Sequence, residues 1–268
     1  MIKTNNLMKV MWRGCNGHSF TLSGDREFGG VVLQSRSGLV ASVSRTLTGR
    51  ANARGTNVDG VVFDALQGSL TVIIKPNKFS GQSVDEVWDS WLRSWSTDWR
   101  KPGTLTILGK NGSWSISVFA EKNIGETDLS PYSPNVGAFV STVNVLALDG
   151  LWSGTPRDFK NVEIFDVYNA GSVDLHPEIF WVGEGQSFTL PSGRMIVLPT
   201  VTTEHRLSLD PGTGFKVWDS DGNEATSVWA AFRGLDVRGP IPPGEIREFR
   251  CSPTAWLRAT PLHENPWG

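Results

Sequence analysis

The sequence predicts a mainly β protein of two domains. Three observations carry this. Short runs of alternating apolar and polar residues recur along the chain, turn-forming Gly (29) and Pro (15) are abundant, and a single segment follows helical periodicity. At 268 residues the chain exceeds one average domain and can bury a sizeable core.

The first 21 residues contain no continuous apolar run, so no signal peptide is expected, and the sequence suggests no particular role for them. Residues 26–75 show glycine-broken β patterns: EFGGVVLQS, GLVASVS, then GVVFDALQGSLTVIIKP. The β-branched run Leu70–Ile74 reads as a strand that Pro76 ends. TGRANARGTN, polar and glycine-bearing, reads as a mobile loop.

The segment SVDEVWDSWLRSWSTDW breaks the pattern. Val84, Val87, Trp88, Trp91, Leu92 and Trp95 fall at i, i+3, i+4, i+7 spacing, the single apolar face of an amphipathic helix. Ser83 and Glu86 match a capping box, and Pro102-Gly103 forbid long extension. The spacing predicts a helix over about 84–97 whose tryptophan stripe is a core face rather than a sugar-stacking platform. TLTIL and WSISVF, around Gly109-Lys110-Asn111-Gly112, then predict a hairpin, because Asn-Gly accommodates the positive φ of a tight turn.

A long polar insertion follows at about 123–137, KNIGETDLSPYSPNV, with prolines at 131 and 134. It joins two strands of one domain, where a short turn would suffice, and proline disfavours central pairing. It is expected to project as an arm that contacts a neighbouring subunit, with Asn123, Ile124, Asp128, Tyr132 and Asn135 as the candidate contact residues. AFVSTVNVLALDGLWSG closes this half as a further alternating strand. A polar stretch, GTPRDFKN, marks the expected boundary near 153–161, which gives domains over about 1–155 and 160–268. Beyond it the strand and turn signals recur at the spacing of a sandwich, with no helix of length.

Charge and motif content narrow the function. With 25 basic and 27 acidic residues the net charge is −2, and no basic stripe is present, which argues against nucleic-acid recognition. No stretch approaches the roughly 20 apolar residues of a membrane helix. Cys15 and Cys251 are expected to be reduced thiols. His18, His176, His205 and His263 form no metal-ligand spacing, and no CxxC, GxSxG, P-loop or GxGxxG motif occurs. No catalytic residue, metal site or cofactor is therefore expected, although a triad assembled from distant residues leaves no sequence trace. Asp219-Ser220-Asp221-Gly222-Asn223-Glu224 partly resembles a calcium loop, but without flanking helices or EF-hand spacing it reads better as a hairpin turn.

The order of parts in residues 22–152 resembles the N-terminal belt domain of siphophage distal tail proteins. A glycine-flanked strand (Gly29-Gly30-Val31-Val32) comes first, followed by a Gly49-Arg50 loop, the Leu70–Ile74 strand, the helix, the hairpin over 105–118, an arm-like insertion, and a closing strand ending Leu148-Asp149-Gly150-Leu151-Trp152. Residues 162–268 resemble the galectin-like sandwich behind it, through Tyr168-Asn169-Ala170-Gly171 to Pro177 and the 219–223 turn. The resemblance implies a β-sandwich or split-barrel belt domain with one helix, then a galectin-like sandwich. It implies a non-enzymatic structural virion protein that forms a homo-hexameric ring, without cofactors, at the phage tail tip, made in the host cytoplasm. The implied neighbours are the tail tube protein, the tail-tip hub protein and the tape measure protein. The alternative is a carbohydrate-binding module for host attachment, in which Trp181, Trp218, Trp229 and Trp256 offer indole faces to sugar. A polysaccharide-degrading tail enzyme is a third reading, with only composition behind it.

Overall fold

The computed structural model describes residues 8–23, 29–49, 56–110, 112–124, 127–133 and 137–267. The protein is mainly β, with antiparallel sheets throughout. It divides into two compact units, Met1–Trp152 with Glu264–Gly268, and Ser153–His263.

The first unit contains β1 (Lys9–Arg13), β2 (Ser19–Ser23), β3 (Val31–Gly38), β4 (Val43–Gly49), β5 (Thr56–Phe63), β6 (Leu66–Ile74), helix α1 (Val84–Arg93), β7 (Gly103–Gly109), β8 (Gly112–Ala120) and β9 (Phe139–Ala147). Its main sheet runs β2-β1-β7-β8-β9-β6-β3. Strand β9 pairs β6 without a bulge from Leu66↔Ala147 to Ile74↔Phe139. The period-2 pattern fixes that register: a slip by one residue would turn Leu70, Val72, Val143 and Val145, all buried, toward solvent. Strand β8 changes partner along its length. Residues 112–118 pair β7, and Phe119 and Ala120 pair β9. The sheet stays open, with β2 and β3 as its edges and no ladder joining them among the described residues.

The β7–β8 hairpin closes at Gly109↔Gly112, so its loop is the pair 110–111; Asn111 lies outside the described residues. The loop expected over TGRANARGTN is shorter than its composition suggests. Strands β4 and β5 extend into it and pair Thr48↔Asn57 and Gly49↔Thr56, while 50–55 lie outside the described residues.

Helix α1 ends at Arg93, four residues short of the expected limit. Its start is capped by Glu86, whose carboxylate accepts from the Ser83 N–H at 2.9 Å. Its end is set by Ser94. The Ser94 hydroxyl donates to the Trp91 carbonyl (2.7 Å) and accepts from the Trp12 indole N–H (2.8 Å). The N–H groups of Ser94 and Trp95 turn back to Trp91 and Leu92, as in a tightening last turn. Val84, Val87, Trp88 and Trp91 are buried on the helix, Leu92 is half-buried, and Trp95 is buried just beyond the helix end.

The N-terminal residues, given no place by the sequence, supply β1 and much of β2. Trp12 stacks on Trp95 with ring centroids 3.9 Å apart. Gly103 makes room for it, because a Cβ there would sit 2.1 Å from the Trp12 ring. Trp91 meets Phe20 and Trp95 edge-on, and Trp88 meets Phe139 the same way.

The C-terminal residues depart from the expected 160–268 domain, because they complete the first unit. The Glu264 carbonyl accepts from the Ala41 N–H (2.9 Å). The Trp267 ring packs edge-on against Trp152, and the Arg36 guanidinium lies 3.6 Å above it.

Strand β10 (Trp152–Ser153) marks the junction. The second unit follows with β11 (Arg157–Phe159), β12 (Ile164–Tyr168), β13 (Glu178–Gly183), β14 (Ser187–Thr189), β15 (Met195–Val197), β16 (Val201–Ser208), β17 (Val217–Trp218), a one-turn helix α2 (Thr226–Trp229), β18 (Ile246–Cys251), β19 (Trp256–Ala259) and β20 (Leu262–His263). Sheets β11-β19-β13-β16-β17 and β12-β18-β14-β15 form a sandwich. Ile179, Trp181, Leu207 and Leu257 of one sheet share a core with Phe165, Phe188, Ile196 and Phe249 of the other. Asn169, fully buried, ties the unit's loops together. Its amide donates to the carbonyls of Val173 (2.8 Å) and Ile241 (2.7 Å) and accepts from the Gly171 N–H (2.8 Å).

Candidate assembly surface

Two features of the first unit present surface that the fold itself does not use. One is the insertion between β8 and β9. At its base the Glu121 N–H bonds the Asn144 carbonyl, and Ile124 packs against the core. Thr127 then bridges to Ser141 of β9, and the Asp128 carboxylate accepts from the Val140 N–H at 2.8 Å. Further on, the Tyr132 hydroxyl donates to the Asp89 carboxylate on α1 at 3.0 Å; that bond holds the phenol's pKa above its ordinary value.

Where it is described, then, the insertion lies back on β9 and α1 instead of projecting as the sequence suggests. The cause is local. Asp128 supplies an acceptor for a strand N–H, and Tyr132 finds a carboxylate partner. The structure brings Asn123, Ile124 and Asp128 together around a hollow of about 400 Å³ beside β9, with Thr127 and Val140. Tyr132 is apart from them, against the helix. Asn135 lies outside the described residues. Leu129 and Tyr132 are exposed.

The second feature is the ribbon of β4 and β5, a separate two-stranded sheet. It is anchored at its base by the Asp64 N–H to the Ser42 carbonyl and by the Ser44 hydroxyl to the Asp64 carboxylate. Leu47, Val61 and Val62 are exposed along it. A two-stranded ribbon is marginal by itself, and its outer edges present unpaired backbone groups. The sequence patterns reach only the base of each strand, at 43–44 and 60–63, and do not signal the ribbon's separation from the main sheet, since alternation specifies a pleat and not a neighbour.

The tryptophans considered for sugar binding separate clearly. Trp181 is buried, with its indole N–H on the Pro199 carbonyl. Trp256 stacks on Phe180 at 3.9 Å and lies under the Lys160 ammonium, while Trp218 lies under the Arg206 guanidinium. Trp229 lines a hollow with Val217 and Thr226. In the 219–224 turn, the Asp219 carboxylate accepts from the N–H groups of Asp221 and Asn223, which holds its pKa below the ordinary value, and Glu224 pairs with Lys216. Asp219 is thus engaged in the turn and Glu224 in an ion pair, and no cluster of three or more metal-ligating side chains occurs among the described residues.

No family model and no curated protein sequence matches the chain. Solved structures do match. The Dit protein of phage SPP1, described as a paradigm of the hub adsorption apparatus in phages that infect Gram-positive hosts, aligns with a TM-score of 0.57 and 12% identity, over 96% of this chain and 99% of that one. A chain of the phage P2 baseplate in its activated conformation with Ca aligns at 0.50 and 9% identity, over 95% and 98%. The corresponding p2 baseplate structure with Sr aligns at 0.52 and 8% identity, over 95% and 98%. The chain thus has the fold of Dit-like phage baseplate proteins along nearly its whole length.

Proposed function

We propose that this protein is a distal tail protein, a structural component of a phage tail that forms a hexameric ring between the tail tube and the tail tip. The observation that carries the proposal is the extent of the shared fold, which covers 96% of this chain and 99% of a phage hub protein. The β4–β5 ribbon adds support. Its exposed Leu47, Val61 and Val62 and its open edges suit contact with a neighbouring subunit, and in a ring each such contact is repeated around the axis. The insertion is the second proposed contact, through Leu129 and Tyr132. Domain roles follow the same logic, with the first unit forming the ring and the galectin-like second unit attached to it. The tail tube, the tip hub protein and the tape measure protein are the proposed neighbours, the tail tip is the location, and the role needs no catalytic chemistry.

Native mass spectrometry tests the proposal. A ring should appear at six times the 29.3 kDa chain mass, alone or with tail proteins. A protein that stays monomeric at all concentrations, and that does not enter tails, would overturn it. Replacing 124–136 with a short Gly-Ser linker should leave the circular dichroism unchanged and weaken the ring. Unimpaired assembly would remove the insertion from the interface.

A further inference from the structure

We infer that the free edge of β12 in the second unit is a strand-docking site. It takes an extended segment of a protein partner that carries Lys or Arg with an apolar residue two positions to either side. The inference does not depend on ring assembly, because every residue involved lies within one unit.

The sandwich has β11, β17, β12 and β15 at its sheet edges. Three of these hold only two or three residues, which blunts an edge. Strand β12 is five residues long, contains no proline, and pairs β18 without a bulge from Ile164↔Arg250 to Tyr168↔Ile246. Just beyond its ends, the Cys251 N–H bonds the Glu163 carbonyl and the Asn169 N–H bonds the Glu245 carbonyl, at 3.0 Å each. Hydrogen-bonded pairs alternate along an antiparallel ladder, so Phe165 and Val167 bond β18 as well. Ile164, Asp166 and Tyr168 therefore turn their N–H and C=O groups away from β18. Three donors and three acceptors line the outer edge, and no strand pairs them among the described residues.

The side chains of the same three residues point out of the sandwich, since Phe165 and Val167 between them are buried. Ile164 and Tyr168 are 53% and 47% exposed, and Ile246, opposite Tyr168, is 59% exposed. Asp166 sits between Ile164 and Tyr168 and faces Glu248 across the pair, an unfavourable meeting of like charges. Arg250 answers Glu248, through guanidinium bonds of 2.8 and 2.9 Å, and no cation pairs Asp166 among the described residues. The edge thus reads apolar, acidic, apolar. A second copy fits it badly. Two β12 strands paired antiparallel over all five residues would set Asp166 against its own counterpart, and a charge so placed guards an edge against self-pairing. A strand with a cation at its centre satisfies the whole edge, with the cation on Asp166 and apolar side chains beside Ile164 and Tyr168. Main-chain hydrogen bonds supply the attraction, and the alternate side chains select the partner.

The test uses the full-length chain labelled with ¹³C-methyl isoleucine, whose signals can be read in a monomer and in a ring. It is titrated with two end-capped peptides, TVTKTVT and TVTETVT. TVTKTVT should shift the Ile164 and Ile246 methyl resonances saturably. TVTETVT should bind about 10-fold more weakly, because repulsion replaces an opposite-charge pair. Asp166→Lys, an exposed change that leaves the core intact, should reverse the preference. Added salt should narrow the difference between the peptides, as it does for solvent-exposed charges. No saturable shift with TVTKTVT would overturn the inference, as would equal binding of the two peptides. Shifts of the same methyls on concentrating the chain alone would make a second copy the occupant and overturn it too.

Discussion

Asn169 offers the sharpest test of how the second unit is held together. Its side chain makes three hydrogen bonds from a fully buried position. At about 1 kcal/mol net for each, Asn169→Ala loses roughly 3 kcal/mol. Two corrections act in opposite directions. The Ile241 carbonyl keeps the Leu175 N–H at 2.9 Å, so its loss is partial. The Gly171 N–H loses an acceptor, and a side chain cannot be added there to compensate, because a Cβ on Gly171 would lie 2.4 Å from the Leu262 carbonyl oxygen. The expected cost is about 2–4 kcal/mol, a fall in Tm of about 10 °C for a unit of this size.

Cys251 reports on that unit directly. It is buried, and burial pushes its thiol up to about 12, so a thiol reagent reacts only when the unit opens. In a Cys15→Ser background, where the exposed thiol is gone, labelling of Cys251 in Asn169→Ala should accelerate by about 30-fold or more, at tenfold per 1.4 kcal/mol. Asn169→Asp should cost more than Ala near neutral pH, because a carboxylate would face two carbonyls. A carboxyl in that position has a raised folded pKa, so the penalty applies above it and is relieved as pH falls through it. Asn169→Ala with an unfolding free energy within about 0.5 kcal/mol of the parent would refute the reasoning, since changes that small are ordinary for surface positions.

Trp91→Ala should destabilise the first unit by about 3–5 kcal/mol in denaturant melts, while Trp91→Phe should cost much less, because the Trp91 indole N–H is buried without a partner and phenylalanine removes that debt. Trp267→Ala should lower the stability of the first unit by about 1–2 kcal/mol through loss of the Arg36 and Trp152 ring contacts, and should leave Cys251 labelling unchanged; a shift in the second unit instead would contradict the assignment of the C-terminal residues. Asp158 is held below its ordinary value by hydrogen bonds from Arg258, so its contribution is present above roughly pH 4, the unfolded value, and is lost as pH falls through the folded one; Asp158→Asn should remove that part of the acid slope in melts run between about pH 5 and 2.

Local periodicity determined a good deal. The spacing of Val84, Val87, Trp88 and Trp91 marks the buried helix face, and the alternation through 139–147 marks the strand, because each pattern states which side of an element avoids water. The turn over 219–223 is likewise written in its Asp-Gly chemistry. Three things were decided elsewhere. Helix α1 stops at Arg93 because Ser94 bonds Trp12, a residue 82 positions away, and no window of local sequence contains that partner. The last residues join the first unit because Trp267 finds Arg36 and Trp152 there. The insertion lies back on β9 because Asp128 meets the Val140 N–H and Tyr132 meets Asp89. The same division separates the tryptophans. Alternation makes Trp181, Trp218, Trp229 and Trp256 equivalent, and only packing separates them: Trp181 is buried, Trp256 stacks on Phe180, Trp218 lies under Arg206 and Trp229 lines a hollow. Periodicity encodes the direction a side chain faces, whereas the group it meets depends on contacts between segments far apart in the chain.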